Sequence, residues 1–502
     1  MKAIFLYCFE VTMATSTPSS PSDRSPNSKS MPKLNLLTMF RLGLFQMGLG
    51  IMSILTLGVL NRIMIKELAI PATLVAGTIA MYLFVAPSRL WFGQLSDAKT
   101  IRGYHRTGYV WIGAALLAIA AFLAVQVTWQ LGNSLYNQGW TIATYGWVAL
   151  LAGIFALYGL TLSSSSTPFA ALLVDVSDED NRSKLVGIVW SMLMVGIVIG
   201  AIVSSKLLPA ATTCQETINT VSIYSKPEQL AALRDSVNRL FFILPAVVFG
   251  LAVVSTFGIE KKYSRYGDRS SLVDREDKIT LARALKVLTA SRQTGLFFTF
   301  LLVMSISLFM QEAVMEPYGG EVFGMCVSET TRLNAFWGTG TLIGISSTGF
   351  LIVPRLGKQK TAQLGCLTVA ISLVLVILSG FSANPQILQA ALLLFGLASG
   401  VTTTGAISLM LDLTAAETAG TFIGAWGLAQ TLARALATVS GGAVLDIGKQ
   451  VFSMPVLSYG LVFALQSVGM LLAIGLLNRV DVTEFQTNAK SAIASVLEGE
   501  LD

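Results

Sequence analysis

Long apolar segments recur along most of the chain, and they restrict its fold more than any other feature. Each has about the length that crosses a bilayer as a helix, and short breaks with charges, proline or glycine separate them. They lack the alternation of membrane barrel strands, so helices must satisfy the backbone in lipid. The pattern predicts an all-α integral membrane protein with 12 transmembrane helices, at 38–60, 72–95, 107–127, 145–174, 184–206, 239–259, 294–315, 333–353, 361–380, 387–411, 419–444 and 456–477.

The composition excludes an ordinary soluble domain. Only 12% of the 502 residues are charged and 53% are hydrophobic, whereas soluble domains carry roughly 25% charged residues. A single histidine, His105, excludes a histidine-rich metal centre, and the four cysteines have no metal-ligand spacing and are interpreted as apolar fillers. Because no nucleophile–base set or nucleotide loop is visible, we expect a protein that is not an enzyme and binds no nucleotide.

The distribution of lysine and arginine indicates the orientation. These residues concentrate in the N-terminal tail, in alternate loops and in the segment 260–292, and they are sparse in the loops between. Positive loops stay on the cytoplasmic side, so both termini are predicted to be cytoplasmic. The net charge of +6 then reflects topology and contact with membrane lipids, not nucleic acid.

The second half of the chain repeats features of the first. Gly159 and Asp175 recur as Gly396 and Asp412 at one common spacing, 237 positions. A weaker echo relates Gly93 to Gly349 at 256 positions, and the difference predicts a longer loop around 128–146. Six spans, a basic linker and six more spans are the plan of the major facilitator fold, with two pseudo-symmetric six-helix bundles. The predicted divisions are a disordered tail at 1–33, bundles at 34–259 and 293–480, the linker at 260–292 and a C-terminal tail at 481–502.

The segment 93–106 resembles the loop signature between spans two and three of the major facilitator superfamily. The predicted gating loop contains Gly93, Asp97, Lys99, Arg102 and Arg106. Asp97 is expected to cap a helix end or to pair with a cation from the other half. The segment departs from the signature because Ala98 replaces a basic residue, and an ordinary positive loop is the alternative.

Ionisable residues inside apolar spans are energetically costly and indicate function. Arg41 and Arg89 lie near span ends, where snorkelling is an equal explanation. Arg434 lies in mid-span, four residues after Gln430, so its partner must be inside the bundle. A buried structural pair and a ligand-binding role are both open for it.

Span seven ends with two glutamates, Glu312 and Glu316, at a spacing that places them on one helix face. Pro317 is expected to stop this helix. The pair is suited to carry protons, to pair with Arg434 or another cation, or to offer oxygen to a hard metal such as Mg. A wet mouth of the bundle is the alternative. The predicted binding residues are Gln311, Glu312, Glu316, Tyr318, Gln430, Arg434 and Arg89.

The stretch Gln-Glu-Ala-Val-Met-Glu-Pro-Tyr-Gly-Gly-Glu-Val-Phe-Gly-Met, which begins at Gln311, resembles the PucC family. The segments that begin at Ser328 and Arg41 extend the likeness. The resemblance implies an assembly factor for pigment–protein complexes in a photosynthetic membrane, either thylakoid or intracytoplasmic and plasma membrane. It implies chlorophyll or bacteriochlorophyll as ligand, and photosystem or light-harvesting subunits as partners. Glu312 or Glu316 would then be an axial ligand to the chlorophyll Mg.

Two other functions fit the same sequence. A proton-coupled secondary transporter of a small solute is equally compatible with the fold. A scaffold that binds photosynthetic subunits through lipid-facing small residues, such as Gly196 and Gly200, is the third hypothesis. Bound pigment and companion subunits would favour the assembly factor or the scaffold, whereas solute uptake by a colourless protein would favour the transporter.

Overall fold

The computed structural model describes residues 34–177, 179–208, 227–264, 292–413 and 419–481. Within these ranges every extended regular element is a helix, and the pairing of Ile101 with Tyr104 is an isolated bridge. The predicted tails and most of the predicted 260–292 linker lie outside the described residues. The prediction of an all-α protein is confirmed.

Six long helices precede the linker. They are α1 (Leu36–Glu67), α2 (Ala72–Phe84), α3 (Thr107–Gln138), α4 (Ile142–Val176), α5 (Glu179–Leu207) and α6 (Pro227–Thr256), with short helices at Ser88–Ala98 and Ile259–Tyr263.

Six more long helices follow it. They are α7 (Arg292–Phe309), α8 (Val327–Ser347), α9 (Lys358–Ser382), α10 (Pro385–Leu413), α11 (Ala419–Val451) and α12 (Pro455–Leu477). A 3₁₀ turn at Met310–Ala313 and a short helix at Met315–Phe323 lie between α7 and α8.

Membrane-spanning character is clear in most of these helices. Within the described ranges, nine helices are long and apolar enough to cross a bilayer. Each of the twelve predicted segments overlaps one of these twelve helices. Three helices, however, are not among the nine candidate spans: α2, which has only 13 residues, α8 and α11. The protein is an integral membrane protein, and the number of twelve crossings stays a prediction.

The same helix pairs pack together before and after the linker. The contacts α1–α5, α1–α6, α2–α4, α3–α4 and α3–α6 correspond in order to α7–α11, α7–α12, α8–α10, α9–α10 and α9–α12. The two sets of six meet along α5–α8 and α2–α11. Each set is therefore built on one packing plan, and the candidate site lies between the two sets.

The predicted loop around 128–146 is wrong, because most of it is helical. Helix α3 continues to Gln138, the chain turns at Gly139 with φ 65°, and α4 begins at Ile142. Gln126 and Trp129 donate hydrogen bonds to Asn238 of α6, at 3.0 and 3.2 Å. Hydropathy falls along this stretch, but packing against α6 supports the helix beyond its most apolar part.

The prediction that Gly196 and Gly200 face lipid is also wrong. Both glycines are buried in α5 against α1. A β-carbon at Gly200 would lie 2.9 Å from the α-carbon of Ile51, and one at Gly196 would overlap the carbonyl of Met47. Small residues let helix backbones approach closely, and here that approach is internal to the first set of helices.

Candidate functional site

A small cleft of about 60 Å³ lies between the two sets of helices. Its lining is mostly apolar with a few polar groups, as in small-molecule sites. The lining residues come from α1, the segment after α7, α8 and α10: Ser53, Ile54, Leu57, Gly58, Gln311, Glu312, Met315, Glu316, Leu333, Asn334, Trp337, Leu392 and Phe395. Three of the predicted binding residues, Gln311, Glu312 and Glu316, therefore share one cavity.

Two irregular helix segments build the cleft. Helix α1 changes to π-helix over Ile54–Leu60, and α7 gives way to the 3₁₀ turn at Met310–Ala313. Residues 54 and 310 are separated by 256 positions, the spacing that relates Gly93 to Gly349. Helix interruptions of this kind often mark functional sites, and in transporters they form the binding site near mid-membrane. The two irregular segments thus support the choice of the cleft as the candidate site.

Glu312 forms a two-pronged ion pair with Arg434. Arg434 Nε and Nη2 donate to the two carboxylate oxygens at 2.9 and 2.8 Å, and the Arg434 side chain is only 1% exposed. Its guanidinium also lies 5.0 Å from the ring centre of Phe309. Of the roles predicted for Glu312, pairing with Arg434 is the one seen, and it uses both carboxylate oxygens.

Glu316 is placed differently from its neighbour. It is 4% exposed, and Asn334 Nδ2 donates a hydrogen bond to its Oε1. Its other oxygen, Oε2, is buried and has no hydrogen-bond partner among the described residues. Gly58 of α1 lies directly against Oε1, so any larger residue there would overlap the carboxylate. Glu316 is therefore a buried residue of the cleft lining, and one of its carboxylate oxygens is engaged by no described residue.

The prediction that Glu312 and Glu316 share one helix face is wrong. The helix breaks at Val314, and a new helix begins at Met315. Pro317 does not stop the helix; it lies in the first turn of the new one, where a missing N–H group is tolerated. Both glutamates reach the cleft because the break redirects the chain.

Tyr318 is a core residue, which contradicts its predicted binding role. It is fully buried, and its hydroxyl donates to the carbonyl of Val376 at 2.8 Å. Its ring lies 5.4 Å from that of Tyr459 and 5.1 Å from that of Phe463. Because the aromatic side chain turns away from the cleft into the second set of helices, it anchors the short helix.

The other predicted binding residues lie outside the cleft lining. Gln430 is buried one turn before Arg434, and its Oε1 has no hydrogen-bond partner among the described residues. Arg89 is buried in the short helix Ser88–Ala98.

Arg41, the other arginine that was predicted near a span end, donates hydrogen bonds to the carbonyls of Val254, at 2.7 Å, and Phe257. Arg41 therefore ties α1 to the end of α6.

The predicted gating loop is organised around Arg106, which is 5% exposed. Its guanidinium forms ion pairs with Asp97 at 2.5 Å and with Asp175 at 3.0 Å, and it donates to Ser96 Oγ at 2.6 Å. The cation that pairs with Asp97 thus belongs to the same half. Lys99 and Arg102 are exposed, and Gly93 faces Thr167. The side chain of Asp412, the counterpart of Asp175, lies outside the described residues.

Glu260 caps α3 next to this network. Its carboxylate accepts hydrogen bonds from the N–H groups of His105 at 2.6 Å, Arg106 at 3.2 Å and Thr107 at 2.7 Å. These N–H groups lie just before or at the first residue of α3, where the helix itself offers them no acceptor. The residues after α6 are thereby fixed to the start of α3.

Replacing Glu260 with alanine is expected to lower the free energy of unfolding by about 1–2 kcal/mol, as loss of a helix cap does. Glu260→Gln should cost less, because its amide oxygen still accepts a hydrogen bond. Thermal unfolding in detergent, followed by tryptophan fluorescence, measures both. An alanine variant that melts at the wild-type temperature would contradict the capping role.

Sequence reasoning missed Arg62, Asn334 and Glu260. Arg62 falls just outside the predicted span at 38–60, although the apolar run Ile63–Ile65 follows it. Asn334 and Glu260 are ordinary polar residues until their acceptors and donors are placed in space. The interpretation of the cysteines is confirmed for Cys366, which is free and buried. It is wrong for Cys326, which is disulfide-bonded.

Solved structures of transporters share this fold. The nucleoside transporter NupG is 12% identical, with a TM-score of 0.61 over 89% of this chain and 99% of its own. A bacterial homologue of the iron transporter ferroportin, in an inward-facing state, is 13% identical, with a TM-score of 0.59 over 91% and 100%. These likenesses show the major facilitator fold, as predicted, and nothing about the ligand.

Sequence relatives cover most of the chain. The "Bacteriochlorophyll synthase 44.5 kDa chain" of Rhodobacter capsulatus is 28% identical over 424 residues, which are 82% of this chain and 88% of that protein. "Protein PucC" of Rhodobacter capsulatus is 27% identical over 426 residues, 83% of this chain and 86% of that one. The model of the family described as PUCC protein matches residues 59–485. The chain therefore belongs to the PucC family.

Proposed function

We propose that this chain is a membrane assembly factor for photosynthetic pigment–protein complexes, which binds a chlorophyll or bacteriochlorophyll and delivers it to antenna or photosystem subunits. Membership of the PucC family supports this, as does the name of a relative that refers to bacteriochlorophyll. The proposal places the protein in a photosynthetic membrane, thylakoid or intracytoplasmic and plasma membrane, with both termini cytoplasmic.

The observation that carries the proposal is the available oxygen of Glu316 in an apolar cleft. Magnesium prefers oxygen ligands, and a carboxylate or a water held by it supplies one. Glu312 is already engaged by Arg434 through both oxygens, so Glu316 is the better candidate for the axial position. Leu57, Leu333 and Phe395 offer apolar surface to a macrocycle.

Replacing Glu316 with alanine is expected to lower the pigment content of the purified protein roughly tenfold, which is about 1.4 kcal/mol of binding free energy. The measurement is the absorption spectrum of gently purified protein, expressed as pigment per polypeptide. Glu321→Ala is the matched control, because Glu321 lies on the same short helix but pairs with Lys449 at 2.8 Å. Equal pigment in wild type and Glu316→Ala would overturn the site.

The alternative function is proton-coupled transport of a small solute, which the fold also accommodates. Its signature would be a colourless purified protein that drives uptake of a solute into vesicles with a pH gradient. That result would replace the pigment proposal. Chlorophyll together with antenna or photosystem subunits in the preparation would support it.

A further inference from the structure

Arg62 joins α1 to the turn before α8, across the boundary between the two sets of helices. Its guanidinium donates to the carbonyls of Met325 at 2.7 Å and Cys326 at 3.2 Å, and to Thr330 Oγ1 at 2.5 Å. The Arg62 side chain is 2% exposed. We call the end of the bundle that contains these contacts the Arg62 end.

Gly320 makes room for this side chain. A β-carbon at Gly320 would lie 2.8 Å from Arg62 Cζ, so the guanidinium rests against the glycine backbone. Glu67, on the same helix as Arg62, lies 3.3 Å from Nη2 and balances its charge. An arginine stays charged at all physiological pH values and has a rigid fork of donors. The two main-chain carbonyls and Gly320 therefore form a buried site that matches the shape and the donors of the Arg62 guanidinium.

Two further contacts join the sets of helices at the same end. Asn61 Nδ2 donates to the carbonyl of Ala313 at 2.9 Å. Asp446 of α11 accepts from the N–H groups of Ala72 at 3.0 Å and Thr73 at 2.8 Å, and from the Thr73 hydroxyl at 2.6 Å. A carboxylate from one set of helices thus caps the first turn of α2 in the other, where negative charge is favoured.

We infer that the Arg62 end is a permanent lock, so that cargo enters and leaves the cleft without passing this end. The inference rests on the proposed function, since it concerns how the cleft is loaded. Separation at this end would break the three hydrogen bonds that the charged Arg62 guanidinium donates to the other set of helices, and hydrogen bonds from a charged donor are the strong ones. It would also uncap α2. The chain then holds its ligand instead of passing it across the membrane.

Distance measurements by double electron–electron resonance in lipid nanodiscs test the lock. Nitroxide labels on p-acetylphenylalanine, which leave the native cysteines intact, are placed at Tyr136 and Ile387, both exposed at the Arg62 end. A second pair at Lys99 and Leu356 reports on the opposite end. The first pair is expected to give one distance that does not change when chlorophyll a is added.

The variant Arg62→Met is expected to add a second, longer distance for the Tyr136–Ile387 pair. Arg239→Met is the control, because Arg239 forms an exposed pair with Asp235 inside α6. A longer distance in the wild type, with or without chlorophyll a, would overturn the lock, as would an unchanged distribution in Arg62→Met. If no preparation binds pigment, the proposed function fails, while the distances without pigment still decide the lock.

Discussion

Replacing Glu312 with methionine while Arg434 is kept is expected to lower the free energy of unfolding by about 3–5 kcal/mol. The reason is that the Arg434 side chain, 1% exposed, would keep its charge and lose both acceptor oxygens. The π face of Phe309, 5.0 Å from the guanidinium, compensates for only part of that loss. The readout is the midpoint of thermal unfolding in detergent, together with the fraction that remains monodisperse after heating.

The double variant Glu312→Met with Arg434→Met is the decisive comparison. Replacing a whole buried ion pair by apolar residues of similar size is often neutral or stabilising. We therefore expect the double variant to be more stable than Glu312→Met, although it has one more substitution. Arg434→Met alone completes the comparison. If the losses of stability in the two single variants simply add in the double variant, Glu312 and Arg434 do not act as a pair.

The same double variant separates stability from binding. The free oxygen in the cleft belongs to Glu316, which Asn334 holds through its other oxygen. Pigment content should then stay near the wild-type value when Glu312 and Arg434 are both replaced, provided that the protein folds. Loss of pigment in a stable double variant would move the ligand contact from Glu316 to Glu312.

The sequence predicted what depends on period and composition. A helix that crosses lipid must be long and apolar, so the hydropathy of the sequence indicates where the helices lie. The common spacing of Asp175 and Asp412 indicates the repeat. The partner of Arg434 was among the predicted possibilities because a mid-span arginine needs an anion and few are available. The helices were predictable because hydropathy is a local property of the sequence, and the partner of Arg434 was predictable because few acidic residues lie within the spans.

The sequence did not predict what depends on tertiary contacts. The break at Val314 is invisible because Pro317 suggests a stop after Glu316, whereas the helix actually restarts before it. Arg62 donates to main-chain carbonyls, which every residue has. No pattern of side chains in the sequence therefore predicts its partners. Tyr318 lies beside a cleft residue in sequence but packs in the opposite direction.

Replacing Gly196 with leucine is expected to abolish the monodisperse protein, because α1 leaves no room for a side chain at this position. The β-carbon of any substitute would overlap the carbonyl of Met47, a backbone atom that moves only if α1 and α5 separate. Overpacking a well-packed core typically costs about 1–3 kcal/mol when side chains can adjust, so a clash with backbone should exceed that range. Gly196→Ala should fold with a lowered unfolding temperature.

Gly187 is the matched control for this prediction, since it lies on the same helix with no neighbouring atom within 4 Å of an added β-carbon. Alanine there should be neutral or stabilising by up to about 1 kcal/mol, because glycine is the poorer helix former.

The comparison of Gly196 with Gly187 also bears on function, because helix α1, against which Gly196 packs, contains the π segment that lines the cleft. If Gly196→Leu is stable but loses companion subunits, the glycine faces a partner and the internal packing assigned to it is wrong.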